Sequence, residues 1–344
     1  MDTMSGFCSC SNSLPVRAFS GTKVKKGMNQ IDVCGCAECG EEGGASLKTC
    51  KACMLVKYCN ANCQRTHWAT HKKECKQRAA ELRDEALFKD PPDKEDCPIC
   101  FLPMPLKLIC CVSLPPATIS SVPIYDYADA NTKLASKFME TYYPCCGKII
   151  CVGCDYSFDQ SGNDKCPFCN SDQGGKTEEE QVEDLMKRVE ANDAASIYVL
   201  ADQHYQGLNG FQLDQAKAME LYTRAAELGY TKAHNRLGEI YHVHRGELRK
   251  AKFYYEAAAM AGHENARFAL GILEDDSGNM GRAIKHFMIA ASAGDYHAMF
   301  ALLISLKKRG VSRESIDSTL AAYNSSCAEM RSEARDARIK VVMK

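Results

Sequence analysis

Three stretches of the second half of this 344-residue chain, KAMELYTRAAELG (217–229), KAKFYYEAAAMAG (250–262) and RAIKHFMIAASAG (282–294), align residue for residue and close on Gly229, Gly262 and Gly294. Ala226, Ala259 and Ala291 allow close helix approach, while Tyr222, Tyr255 and Phe287 fill the space between helices. Upstream of each stretch lies a second helical segment, centred on Leu200, Leu237 or Leu270, and a degenerate fourth copy begins at Ala298 with Leu302 in register. A single helix pair cannot bury its apolar face alone, so stacked copies share one elongated core, a solenoid.

Working back from the repeats, Thr177 followed three residues later by Glu180 is a capping-box signal, which predicts a helix from about Glu178 to Glu190. Before it, 171–176 contains Gly174 and Gly175 and reads as a linker. The composition then changes. Of 21 cysteines, 20 precede residue 170 and only Cys327 follows. They come as C-x-x-C pairs without a secretory signal, a pattern that favours metal ligation over disulfides. His67 and His71 are the only histidines in this half, so zinc here is held mostly by thiolate. Pro91 and Pro92 stop a polar helical stretch over 76–89. A further helix is expected from Asn131 to Tyr142, and the polar, glycine-interrupted segment 1–33 reads as disordered.

Several function classes are disfavoured. Lys plus Arg (43) nearly cancels Asp plus Glu (44), giving a net charge of -1 and no global footprint for nucleic acid or anionic lipid. The longest apolar candidate, Leu106 to Tyr125, contains Lys107 and three prolines, and the start MDTMSGFCSCSNS has no apolar core. The expectation is an intracellular protein, cytoplasmic and/or nuclear, with protein partners rather than membrane or nucleic acid. No phosphate-binding, dinucleotide, zinc-protease or nucleophile-elbow motif is present. Asp275 and Asp276, or Glu178 to Glu180, read as solvated helix faces and caps, and His204, His234, His242 and His286 as core or surface. No catalytic residue is assigned.

The first cysteine cluster has the spacing C-x2-C-x10-C-x2-C-x5-C-x3-C-x7-H-x3-C, using Cys36, Cys39, Cys50, Cys53, Cys59, Cys63, His71 and Cys75. Eight such ligands suit two tetrahedral zincs, and four protein ligands per ion leave no open position, which makes the sites structural. Spacing alone leaves sequential and interleaved pairing open, with Cys34 an alternative to Cys36 and His67 a competitor of His71. Cys59 and Cys63, like His71 and Cys75, are four apart and are expected to share a helix face. The run YCNANCQRTHWATHKKEC (58–75) resembles the MYND zinc finger over residues 36–75. That resemblance implies interleaved zincs, one on Cys36, Cys39, Cys59 and Cys63, the other on Cys50, Cys53, His71 and Cys75. It also implies a groove for short proline-containing peptides, lined by Tyr58, Gln64 and Trp68. MYND fingers occur in lysine methyltransferases too, but Cys75 is followed directly by the second cysteine cluster and the repeats.

That second cluster comprises CPICF (97–101), CCGKIICVGC (145–154) and CPFC (166–169), and resembles the RING finger. The resemblance implies a cross-brace in which Cys97, Cys100, Cys151 and Cys154 hold one zinc and Cys145, Cys146, Cys166 and Cys169 the other. It places Ile99 and Pro167 where active members contact a ubiquitin-conjugating enzyme. The sequence departs from the pattern in three ways. Lys148 stands in place of the usual histidine, so the second site uses the adjacent Cys145 and Cys146 or borrows Cys110 or Cys111. Residues 101–144 form an insertion, and Asn170 stands where active ligases often carry an arginine.

The repeats, A-x3-LG-x2-Y followed by KA-x2-Y-x3-AA-x2-G, resemble Sel-like repeats, relatives of the tetratricopeptide family, over about 192–310. That resemblance implies a partner-binding scaffold. The expected chain is therefore multi-domain: two small zinc-stabilised modules followed by an all-α helical-repeat solenoid. Its parts are a disordered segment (1–33), a MYND-like finger (34–75), a helical linker (76–92), a RING-like finger (93–172), a linker with lead-in helix (173–191) and the repeats with a C-terminal cap (192–344). About four Zn2+ per chain are expected. Two functional readings follow. One is an interaction adaptor whose RING-like module recruits a ubiquitin-conjugating enzyme. The other is an active RING-type ubiquitin-protein ligase using the repeats or the MYND-like finger to recognise substrate.

Overall fold

The computed structural model describes residues 36–39, 47–106, 139–309 and 312–342. The segment 1–33, Cys34, Cys110, Cys111 and residues 131–138 of the expected helix lie outside the described residues. The chain divides by contact into two units, Met1–Leu87 and Phe88–Lys344.

In the first unit, strands β1 (Lys48–Thr49) and β2 (Lys57–Tyr58) pair antiparallel and lead into helix α1 (Ala61–Leu87). The polar helix expected over 76–89 is thus the far end of a single 27-residue helix that also carries Cys63, His71 and Cys75. No glycine or proline interrupts 61–87, and nothing else would stop it. Asn60 fixes its start, its Oδ1 accepting from the backbone N–H of Asn62 and Cys63, both at 2.9 Å. Cys59 therefore precedes the helix and does not share a helix face with Cys63.

The second unit opens with the hairpin β3 (Glu140–Tyr143) and β4 (Lys148–Cys151), followed by α2 (Val152–Gln160). The helix expected to reach Tyr142 is instead strand from Glu140 onward, with Met139 in a bend. Thr141, Tyr142 and Tyr143 favour an extended chain and pair with Lys148 to Ile150. Helix α3 (Glu178–Glu190) carries both bonds of the predicted capping box. Then come the helix pairs α4 (Ala194–Gln206) and α5 (Gln215–Glu227), α6 (Thr231–Glu239) and α7 (Leu248–Met260), α8 (Glu264–Asp276) and α9 (Met280–Ser292), and α10 (Tyr296–Arg309) and α11 (Arg313–Glu329). Successive helices from α4 to α11 pack in order, and the last, α12 (Glu333–Val342), packs on α2 of the cysteine module.

The repeat signature has a physical cause at each position. Leu237, Leu270 and Leu302 are fully buried, each seven residues after the residue preceding its helix. Gly238 and Gly271 make room for the second helix: a Cβ at Gly238 would come within 2.5 Å of the Tyr255 ring, and one at Gly271 would strike Phe287. The closing glycines sit in the left-handed region, Gly229 at φ 86 and Gly262 at φ 91. There the N–H of Tyr230 reaches Ala225 O and that of His263 reaches Ala258 O, both 3.0 Å, a Schellman closure of the helix. The second repeat is one residue longer than the third, and the extra residue is absorbed in a π-helical turn, Ile240–His244, continuing α6. Cys327 is buried in the core of the last repeats among Phe287, Leu302, Ile316 and Tyr323.

Residues 88–94 belong to the second unit rather than to a helical linker. The Phe88 ring lies 4.6 Å from that of His286, Pro92 packs under Gly262, and Lys94 Nζ donates to Ser326 Oγ at 3.0 Å.

Candidate metal centres

Among the described residues, four groups of cysteine and histidine each bring four ligand atoms within 4.8 Å of one another. They are Cys36, Cys39, Cys59 and Cys63; Cys50, Cys53, His71 and Cys75; Cys97, Cys100, Cys151 and Cys154; and Cys145, Cys146, Cys166 and Cys169. These sixteen residues are the sets the two resemblances imply, gathered in interleaved and cross-braced order rather than sequentially. Cys110 and Cys111 lie outside the described residues, and Cys145 and Cys146 together complete the last group.

The geometry fits zinc. A tetrahedron with Zn–S bonds of about 2.3 Å has sulfur–sulfur edges of about 3.8 Å. Observed separations are 3.8 Å for Cys39 and Cys59, 3.4 Å for Cys59 and Cys63, 3.7 Å for Cys50 and Cys75, 3.9 Å for both Cys97–Cys154 and Cys100–Cys151, and 3.6 Å for Cys146 and Cys166. None approaches the roughly 2.05 Å of a disulfide. His71 joins its group through Nε2, 3.3 Å from Cys53 Sγ.

Three of the C-x-x-C pairs share one local fold. The residue after the second cysteine, Met54, Phe101 or Asn170, sits at φ 57, 55 or 59. Its N–H returns to the carbonyl of the first cysteine, Cys50, Cys97 or Cys166, at 2.9, 2.8 and 3.0 Å. This tight turn aims both sulfurs and several N–H groups at one point. Asn170, read as a departure from the ligase pattern, therefore holds a left-handed turn position that asparagine tolerates well. Cys145 and Cys146 occupy the β3–β4 loop, where Gly147 at φ 72 closes the hairpin and adjacent thiols both reach the same group.

Electrostatics at the sites follow from this arrangement. Burial acts upward on Cys50, yet the backbone N–H groups of Cys53 and Ala52 draw its thiol down to about 6. The Ser171 hydroxyl beside Cys169 pulls that thiol down to about 6. By contrast, burial and the neighbouring sulfurs push Cys75 and Cys145 up to about 12. Thiolates at these distances repel one another, and a dication between them removes the repulsion.

Around the finger, Gln64 Nε2 lies 3.9 Å from Cys50 Sγ and Asn60 Nδ2 donates to Cys59 Sγ at 3.2 Å. His67 is outside the ligand group. Its ring stacks on His71 at 5.4 Å, and its Nδ1 is 3.0 Å from the Tyr58 hydroxyl, so it braces the ligand histidine. Of the residues expected to line a peptide groove, Trp68 is 40% exposed and Gln64 half-buried. Tyr58 is only 2% exposed and belongs to the core between the sites. In the second module Ile99 is 37% exposed and Pro167 half-buried, on the two equivalent turns. His204 and His286 are buried among helices, and no described cysteine or carboxylate group gathers a metal site around them.

Residues 36–75 match the MYND finger family. A SET and MYND domain-containing protein of Dictyostelium discoideum is 51% identical over 35 residues, a match that spans 10% of this chain and only 6% of that protein. Among solved structures, the chain is similar to a Sel1 repeat protein from Oxalobacter formigenes, at TM-score 0.39 and 22% identity over 52% of this chain and 71% of that one. It is also similar to the antigen c5321 of uropathogenic Escherichia coli, which displays an SLR fold, at TM-score 0.37 and 21% identity over 56% of this chain and 43% of that one. The chain thus carries a MYND finger at 36–75 and binds zinc.

Proposed function

We propose that this protein is an intracellular, cytoplasmic or nuclear, zinc-dependent adaptor that joins protein partners: the finger holds one, a short proline-containing peptide, and the helical repeats hold another. The observation that carries this reading is the placement of Trp68. Its indole stands exposed on α1, 6.4 Å from the ring of ligand His71, while Cys63, His71 and Cys75 on the same helix are buried. The metal groups have four protein ligands each, so zinc here holds shape and leaves no position for substrate. An exposed indole fixed by a rigid metal-bound helix supplies apolar contact at small entropic cost, as peptide-binding surfaces require. Trp68 is the only tryptophan in the chain, so its emission reports binding directly. Titrating proline-containing peptides into the zinc-loaded protein should shift that emission, and calorimetry should show the heat lost in Trp68→Ala. A peptide panel that leaves both signals flat contradicts the reading.

A second reading, ubiquitin-protein ligase activity, is supported by the exposure of Ile99 beside Phe101, which is 75% exposed, on the first turn of the second module. Such a module needs no nucleophile, because it acts by orienting a charged conjugate. Self-conjugation across a panel of conjugating enzymes, abolished in Ile99→Ala and in Cys97→Ser, supports it. Silence across the panel with all zinc sites filled leaves the adaptor.

A further inference from the structure

The group formed by Cys97, Cys100, Cys151 and Cys154 consists of thiols only. Bound as thiolates to one Zn2+, these ligands leave two negative charges uncompensated in a largely buried site. The buried cation that meets them comes from the far end of the chain. Arg335, on α12, has no exposed surface, and its Nη2 lies 3.5 Å from Cys100 Sγ. The same guanidinium donates to Pro103 O at 2.8 Å and Leu102 O at 3.4 Å, on the segment leaving Cys100, and to Met330 O at 2.6 Å. The approach is tight from the other side too. A Cβ at Gly153, between ligands Cys151 and Cys154, would come within 2.6 Å of Arg335 N and Cγ. A wholly buried arginine is costly unless an anion answers it. Arg335 forms no ion pair with a carboxylate among the described residues, so the thiolates are the anion available to it.

We propose that Arg335 is the counter-charge of this four-thiolate zinc site, and that α12 is thereby a working part of the zinc module. Zinc occupancy and docking of α12 then strengthen each other by linkage, whatever partner the protein binds. Arg335 is a positioning residue: it touches the ligand set, not the metal.

The test uses the full-length, zinc-loaded protein, with metal counted by mass spectrometry and release followed with a chromophoric chelator. In Arg335→Met, which keeps volume and removes charge, one zinc is expected to leave about tenfold faster or more, the usual scale for losing an outer-shell partner. Arg335→Lys keeps the charge, and Ile339→Ala trims the contact of α12 with Met139 and Val152 while leaving Arg335 in place. Arg335→Lys should release zinc at close to the parent rate, and Ile339→Ala, which loosens α12 but keeps the charge, faster than the parent yet clearly slower than Arg335→Met. If Arg335→Met does not fold, Arg335→Lys decides the matter: release about tenfold faster than from the parent, with the charge kept, then overturns the proposal. Parent-like release in a folded Arg335→Met overturns the proposal. So does release from Arg335→Lys or Ile339→Ala as fast as from Arg335→Met, because packing alone then explains the contact. Amide exchange over 333–342 should quicken in Cys97→Ser, and unchanged exchange there contradicts the linkage. A parent protein lacking zinc on these four cysteines removes the premise, an outcome separate from failure of peptide binding at Trp68.

Discussion

The finger at 36–75 and the cysteine module at 97–169 each gather eight ligands, yet they complete their surroundings in different ways. The finger's ligands are touched and braced from their own neighbourhood: Asn60, Gln64, His67 and Tyr58 all lie among or beside them. The module draws on the helices that follow it. Arg188 of α3 donates to Cys145 O at 3.4 Å, the Tyr142 hydroxyl meets Ser196 Oγ of α4 at 2.5 Å, and α12 supplies Arg335. Ser196 occupies the position held by alanine at 233, 266 and 298 in the later repeats, and its hydroxyl is the one that meets Tyr142 of the cysteine module. The difference teaches that one cysteine pattern is braced by its own neighbours and the other by helices that follow it in the chain.

The largest expected effect separates the two most sharply. Cys53→Ser removes a fully buried ligand, and a structural zinc contributes about 10–16 kcal/mol of apparent binding energy to such a fold. The finger should lose zinc and structure while the helicity of the second unit persists, as zinc counting and circular dichroism would show. Next, a fragment of residues 1–87 should hold two zincs, whereas residues 93–172, lacking Arg188, Ser196 and Arg335, should hold fewer than two. Equal retention would erase the contrast. Within the repeats, Leu270→Ala should lower the stability of the second unit by about 2–5 kcal/mol in denaturant unfolding, without displacing zinc from the finger.

A smaller effect is pH-dependent. Burial, helped by the nearby Arg267 and Arg282, holds His286 down to about 3, so it is neutral in the fold. An unfolded histidine titrates at about 6.5, so its contribution is complete above that pH and shrinks as pH falls through about 6.5 toward about 3. Glu274 adds to the same slope lower down. Burial acts upward on it, but Lys252, Asn279 and Arg282 hold it at about 2, so stability is lost as pH falls from about 4.3 toward that value. Unfolding of His286→Leu should therefore depend less on pH between 7 and 5 than that of the parent. Least of all, Thr177→Ala should cost about 1 kcal/mol by removing the capping box of α3.

The legible parts of this fold were those written locally. Spacing named the sixteen ligands, with their division into four groups implied by the two resemblances, and the Leu-Gly and Ala-Ala-x-x-Gly signatures marked the helix pairs, because each signature is decided within a few residues. The start of α1 was misread because Cys59 and Cys63 have helical spacing, yet Asn60 caps the helix between them. Residues 140–142 were misread because their pairing partners lie beyond Pro144. The joining of module to repeats was not legible at all. A single buried arginine in a charged helix such as EARDARIKVV gives no pattern, and its partner, Cys100, is 235 residues away. The glycine between Cys151 and Cys154 was the one hint, and nothing local said what it made room for.

The account rests most directly on the metal content of the intact chain. Native mass spectrometry of the full-length protein, purified without chelator, should show four Zn2+ per chain, two of them retained when the cysteine module is disrupted by Cys97→Ser and Cys166→Ser. Two zincs in the unmodified protein, or a module whose cysteines are freely alkylated while the repeats stay folded, would contradict it.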